Sequence, residues 1–116
     1  MISISAAERR ARIGARHDLA LEHRVDSMVE AAHGVVALHA TDPASVYLST
    51  WARMRQPTSE AIERELYEER RLMRMLAMRR TLFVVPTDDA PILQGAASLG
   101  VARTERRRNE KLAQLL

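Results

Sequence analysis

A mainly α domain with a small β-hairpin, of the winged helix-turn-helix class, is the fold this sequence predicts. Helix-start signals and helical periodicity mark four segments before residue 71. The period then changes at "LMRMLAMRRTLFVVP", residues 72–86, and becomes helical again from Asp88 to the end. The third and fourth helices are joined by a short turn and followed at once by the hairpin, which makes a helix-turn-helix with a wing. The bland alternative is a helical bundle with an extended connector.

The first helix starts at Ser5, where "SAAE" reads as a capping box with Glu8 at its third position, and it frays near Asp18. A second box, "SMVE" from Ser27 to Glu30, opens a helix whose apolar face carries Met28, Ala32, Val35 and the pair Val29/Val36. Asp42 is a good cap and Pro43 a good first residue for the third helix, which stops before Pro57. Val46/Tyr47, Trp51 and Met54 are expected along its inner side. The fourth helix starts at Thr58 or Ser59 and turns Ile62, Leu66 and Tyr67 inward. The hairpin turns near Arg79-Arg80, poor chemistry for a two-residue turn, since the favoured types take Gly or Asn. In the last helical segment Pro91 comes early, and Gly95 and Gly100 are possible breaks.

Composition narrows the function classes. At 116 residues the chain is one domain's worth, and with aromatics at 3% its core must come from Leu, Val, Ile, Ala and Met. The absence of cysteine excludes disulfides and thiolate metal sites. His17, His23, His33 and His39 lack the paired spacing of helical zinc sites, and there is no Gly-rich phosphate loop. No metal and no cofactor are expected. No signal peptide or apolar run of membrane-spanning length is present, so the expected location is cytoplasmic, at the nucleoid, with no membrane partner. Net charge is +3 and the sequence pI near 10.2, which permits a nucleic-acid partner. Of 18 basic residues only Lys111 is lysine; arginine's planar fork suits phosphates and base edges, although a GC-rich genome produces the same bias.

The charges are unevenly placed. The fourth helix, where many winged-helix proteins read the major groove, carries Glu60, Glu63, Glu65, Glu68 and Glu69 against Arg64. A phosphate-lined groove repels such a face. The arginines lie elsewhere: Arg53 and Arg55 at the end of the third helix, Arg70, Arg71 and Arg74 at the entry to the wing, and Arg79 and Arg80 at its tip. Arg103, Arg106, Arg107 and Arg108 line the last helix. A wing tip with two arginines suits phosphate or minor-groove contact. The alternative is a solvated turn, with the last stripe paired to Glu105 and Glu110.

His39 and Thr41 raise a catalytic question. If the link between the second and third helices is extended, they point the same way, and Ala40 and Asp42 the other. An imidazole takes a proton near neutral pH, and a neighbouring hydroxyl can hold a water. Otherwise His39 closes the second helix, its positive form favoured by the helix C-terminus, and Thr41 is a turn residue.

"VVALHATDPASVYLSTWAR", "LYEERRLMRMLAMRRTLFVVP" and the arginine-rich segment after them resemble the N-terminal region of the AlkZ/YcaQ-type winged-helix DNA glycosylase superfamily. The resemblance runs from about residue 6 onward. It implies a first unit of three tandem winged-helix units that form a concave channel for double-stranded DNA. Members carry Gln–apolar–Gln or Gln–apolar–Asp just before the segment matching the third helix, implicated in placing water for cleavage of the glycosidic bond of alkylated bases. The matching positions are His39, Ala40 and Thr41, so both polar members differ. The resemblance implies His39 as activator of water and Thr41 as its orienter; Asp42 adds a carboxylate one position out of phase, committed to capping. Arg79, Arg80 and Thr81 resemble the family's Arg-x-Thr, with Arg80 where many members have glycine, which implies a longer or looser wing.

Three functions are expected from this: a duplex-binding module of a repair protein, an alkyl-base glycosylase in the full-length protein, or a transcriptional regulator or dimerisation module. The last helix ends on Leu112, Leu115 and Leu116, an apolar edge expected to meet further domains or a second copy.

Overall fold

Four polar side chains start four helices. Ser5 Oγ accepts from the Glu8 amide at 3.1 Å, Ser27 Oγ from Glu30 at 3.1 Å, Asp42 Oδ1 from Ala44 at 3.2 Å and Thr58 Oγ1 from Ala61 at 3.1 Å. Each satisfies a donor that the helix itself cannot. The computed structural model, which describes residues 3–115, places behind these caps α1 (Ala6–Arg16), α2 (Met28–Gly34), α3 (Pro43–Trp51) and α4 (Ser59–Glu63). The last continues into one wide π-helical turn, Arg64–Glu68.

That wide turn changes what faces inward. Adding a residue to the turn swings Glu65 into the protein and leaves Tyr67 67% exposed, so Tyr67 is not the core residue its helical spacing predicts. Glu65 is only 6% exposed. Its two oxygens accept from the amides of Met28 (3.2 Å) and Val29 (3.0 Å), the first residues of α2. The acidic face expected on this helix is therefore reduced to Glu60, Glu63, Glu68 and Glu69, because Glu65 caps a neighbouring helix at the positive end of its dipole.

On the inner side of α3 only Trp51 departs from the expected line, and Tyr47 is partly buried against the core. Val46, Thr50 and Met54 are buried, while Trp51, the chain's sole tryptophan, is 46% exposed. Thr50 buries its hydroxyl by donating to the Val46 carbonyl at 2.8 Å, which cancels the cost of a polar group there. Because Trp51 sits a helical step away from that line, it looks outward.

The hairpin consists of β2 (Leu72–Leu76) and β3 (Leu82–Pro86), and β1 (Leu38–His39) adds a third antiparallel strand in the order β1-β3-β2. The register pairs Leu38 with Val84, His39 with Phe83, Arg74 with Val84 and Met75 with Phe83. Alternation sorts the sheet into two faces. Leu38, Leu72 and Val84 join Met28, Ala32, Val46, Met54 and Ile62 in the main core. Val85, with Met75 and Phe83, packs instead on Ala90 and Leu93 of α5 (Ala90–Leu93).

Beyond α5 the chain stays helical through a π-helical turn, Gln94–Ser98, into α6 (Leu99–Ala113). Of the two possible breaks, Gly95 lies within the π-helical turn and Gly100 within α6, and neither ends the helix. Ser98 Oγ donates to the Leu76 carbonyl at 2.6 Å and ties this helix to the hairpin end. Leu112 and Leu115 are exposed; Leu116 lies outside the described residues.

A candidate nucleic-acid interface at the hairpin end

The turn is built from residues that resist it. Met78–Arg80 connects the two strands, and the Thr81 amide closes on the Met78 carbonyl at 3.2 Å. Arg79 and Arg80 both take positive φ, 53° and 61°. Two successive positive values across a closing bond give the mirror-image type I geometry, which Asn and Gly favour and which costs arginine about 1 kcal/mol per residue. The poor turn chemistry is as the sequence predicts, and three residues, Met78–Arg80, make the turn. Strain of this kind gathers where a side chain must be presented.

His39 and Thr41 lie at the same end of the sheet. The Ala40 amide donates to the Leu82 carbonyl at 2.8 Å, so the ladder continues and Thr41 comes level with Thr81, the first residue past the arginine turn. His39 and Thr41 are exposed on one face, and Leu38 and Ala40 are buried on the other. The extended reading of this link is therefore right, and His39 does not close a helix. Thr41 Oγ1 stands 3.3 Å from His39 Nε2, and the His39 ring meets Phe83 edge to face at 5.4 Å. The Phe83 contact fixes the imidazole's orientation, and the hydroxyl beside Nε2 forms a polar pair able to hold one water.

The other arginines divide into free and committed. Arg80 Nε and Glu105 Oε1 are 2.6 Å apart, a close ion pair whose alignment falls short of a hydrogen bond. Glu105 thus joins α6 to the tip rather than serving the arginine stripe on its own helix. Arg79 is exposed beside it. Arg103, Arg106, Arg107 and Arg108 are exposed, and none pairs with a carboxylate among the described residues. Arg107 and Arg108 share a shallow groove with Thr104 and Lys111, so Lys111 belongs to this stripe at helical spacing and was missed in the sequence.

Arg53 and Arg55 are elsewhere employed. Arg53 is partly buried, and its Nη1 donates to the Ser49 carbonyl at 2.8 Å. Burial lowers its pKa while the Asp18 carboxylate opposes the shift. Arg55 pairs with Asp26 at 2.6 Å. Arg71 is held loosely by Glu69 at 3.8 Å, and Arg70 is exposed at a φ of 53°. Arg74 projects on the sheet's main-core face, opposite to His39, and edges a pocket of about 230 Å³ lined by Pro43, Tyr47, Leu66 and Tyr67. Burial, then the neighbouring Tyr67, raises the pKa of Tyr47 there. This pocket could receive an apolar ring, but the sheet separates it from His39. Among the described residues no cluster of His, Asp or Glu could hold a metal ion, and no helix is long and apolar enough to cross a membrane.

The architecture is that of a winged-helix-like, mainly α domain whose hairpin end is cationic. A model of the family described as DNA glycosylase AlkZ-like matches residues 32–115, and the chain belongs to that family. This makes it a DNA-binding module related to DNA repair. No curated protein and no solved structure matches the chain.

Proposed function

We propose that the chain grips duplex DNA by its sugar–phosphate backbone, using the hairpin end and the adjoining stripe of α6. One observation carries this reading: the register and the Arg80–Glu105 pair gather Arg79, Arg80 and the His39–Thr41 pair at one end of the sheet, with Arg108 three residues beyond Glu105 on α6. Arg103, Arg106, Arg107 and Lys111 extend the same charge along α6, and Arg70, Arg71 and Arg74 flank the wing's entry. Arg53 and Arg55 serve the fold in this reading. The α4 face keeps its exposed glutamates away from phosphates. Such a surface binds weakly and without sequence preference, and releases counterions as it does so. The logarithm of affinity should fall linearly with log salt, at about 0.9 per phosphate contacted. Binding that is equal at low and high salt would contradict the proposal.

A second reading is favoured by the 3.3 Å contact between Thr41 and His39: removal of an alkylated base, with His39 as general base and Thr41 holding the attacking water. A base in duplex must first be extruded, which needs more DNA-holding surface than one such unit offers. Residues 1–116 then act as one winged-helix unit of a tandem protein, with the exposed Leu112 and Leu115 turned to a further unit or second copy. Full-length protein should form abasic sites in alkylated duplex, and His39→Ala should abolish them while leaving duplex affinity within about twofold. Undiminished cleavage by that variant would remove His39 from the chemistry.

A further inference from the structure

The family match covers residues 32–115, and α1 lies outside it. Its 11 residues contribute no buried side chain. It packs chiefly on the Leu21–His23 turn and stands away from the core, which helps stretch the molecule to a radius of gyration of 17.6 Å. A compact domain of this length would have about 13 Å. A helix without a fully buried side chain gains little from packing, so its sequence is free to serve another purpose.

Its charge indicates which. Arg9, Arg10, Arg12 and Arg16 oppose one carboxylate, Glu8, and that carboxylate is taken up by Arg12 at 2.7 Å. Arg9, Arg12 and Arg16 lie along one open groove with Ile4, Ile13 and His17. We infer that α1 is a second duplex-binding arm, in which Arg9 and Arg16 contact the phosphates of the same DNA that the hairpin end holds. Seven residues at a rise of 1.5 Å separate them by about 10.5 Å along the axis, close to the roughly 12 Å opening of a major groove. Their side chains therefore reach phosphates on either side of it. A membrane surface fits less well: an interfacial helix needs Trp, Phe or Leu on its apolar side, and α1 offers alanines and Ile13.

This inference rests on the duplex-binding reading, and its test separates the two. Binding of the full chain to a random-sequence duplex is followed by fluorescence anisotropy between about 50 and 200 mM salt. Arg9→Gln with Arg16→Gln, which spares the Glu8–Arg12 pair, should reduce the salt slope by about 2, since each phosphate left without its arginine removes about 0.9. Arg9→Lys with Arg16→Lys should restore the slope, because charge carries it. A Gln variant with the parental slope, alongside a hairpin variant that loses its own share, overturns the arm alone. An unmodified chain that fails to bind duplex overturns both readings. Vesicles of anionic phosphatidylserine provide the remaining comparison: if they lose affinity for the Gln variant while duplex binding stays unchanged, the partner is a lipid surface and the inference falls.

Discussion

Replacing Arg79 with asparagine and Arg80 with glycine will weaken duplex binding while leaving the fold as stable as before or more so. The binding effect follows from charge. Two phosphate contacts carry a slope of about 1.8, so across the decade from about 1 M to 0.1 M salt they account for about sixtyfold in affinity. The stability effect follows from backbone geometry. Both positions hold positive φ, and the Asn-Gly pair accepts it where arginine does not. Relief of about 1 kcal/mol per residue is partly offset by the freedom glycine gives the unfolded chain and by loss of the exposed Arg80–Glu105 pair. The net change is between zero and about 1 kcal/mol of added stability. Salt titrations of binding and urea denaturation of the same variant read the two effects separately. A variant that binds as tightly as the parent, or that loses more than about 1 kcal/mol, would show that the turn is not strained for function.

Glu65→Ala should cost the domain about 3 kcal/mol, the largest single loss expected from a charged residue here. Its carboxylate satisfies two amides at the start of α2 and lies against that helix's positive end. Truncation leaves the amides of Met28, which is wholly buried, and Val29 without acceptors and opens a space in a closed part of the core. Glu65→Gln keeps one carbonyl acceptor and should cost about half as much. The denaturation midpoint should shift with an unchanged m-value, since the surface exposed on unfolding is the same. The variant, once folded at low temperature, should bind duplex as the parent does. A loss below about 1 kcal/mol would mean that water replaces the carboxylate and that the cap contributes little.

The helix starts were legible in the sequence because each depends on one residue and its immediate neighbours: Ser5, Ser27, Asp42 and Thr58 act over three residues or fewer. The hairpin was legible for the same reason, since β-forming residues and Pro86 bound it locally. What could not be read depends on contacts between distant positions. Glu65 looks like one more surface glutamate until α2, 37 residues earlier in the chain, supplies amides for it. Helical spacing places Trp51 and Tyr67 inward, whereas the phase set by Thr50 and by the π-helical turn puts them outside. The alternation around His39 was readable as one of two possibilities, and pairing with Phe83 decides between them. Membership of the glycosylase family could be recognised from the segments around His39 and Arg79, and the family comparison bears it out. The commitment of Arg53 to Ser49 and of Arg80 to Glu105 had no sequence signal, because neither partner is chosen by composition. The arginines of α1 carried a signal in plain sight, four in a helix with one acid, but only the absence of any buried side chain on that helix gives it meaning.

The most direct test is to add duplex to isotopically labelled protein and follow every backbone amide by NMR. The account predicts that His39, Ala40, Thr41, Arg79, Arg80, Thr81 and the arginine-bearing turns of α6 shift together at low salt and return as salt is raised, while Glu60, Glu63 and Glu68 stay still. Shifts concentrated on the α4 glutamates, with the arginine turn unmoved, would contradict it.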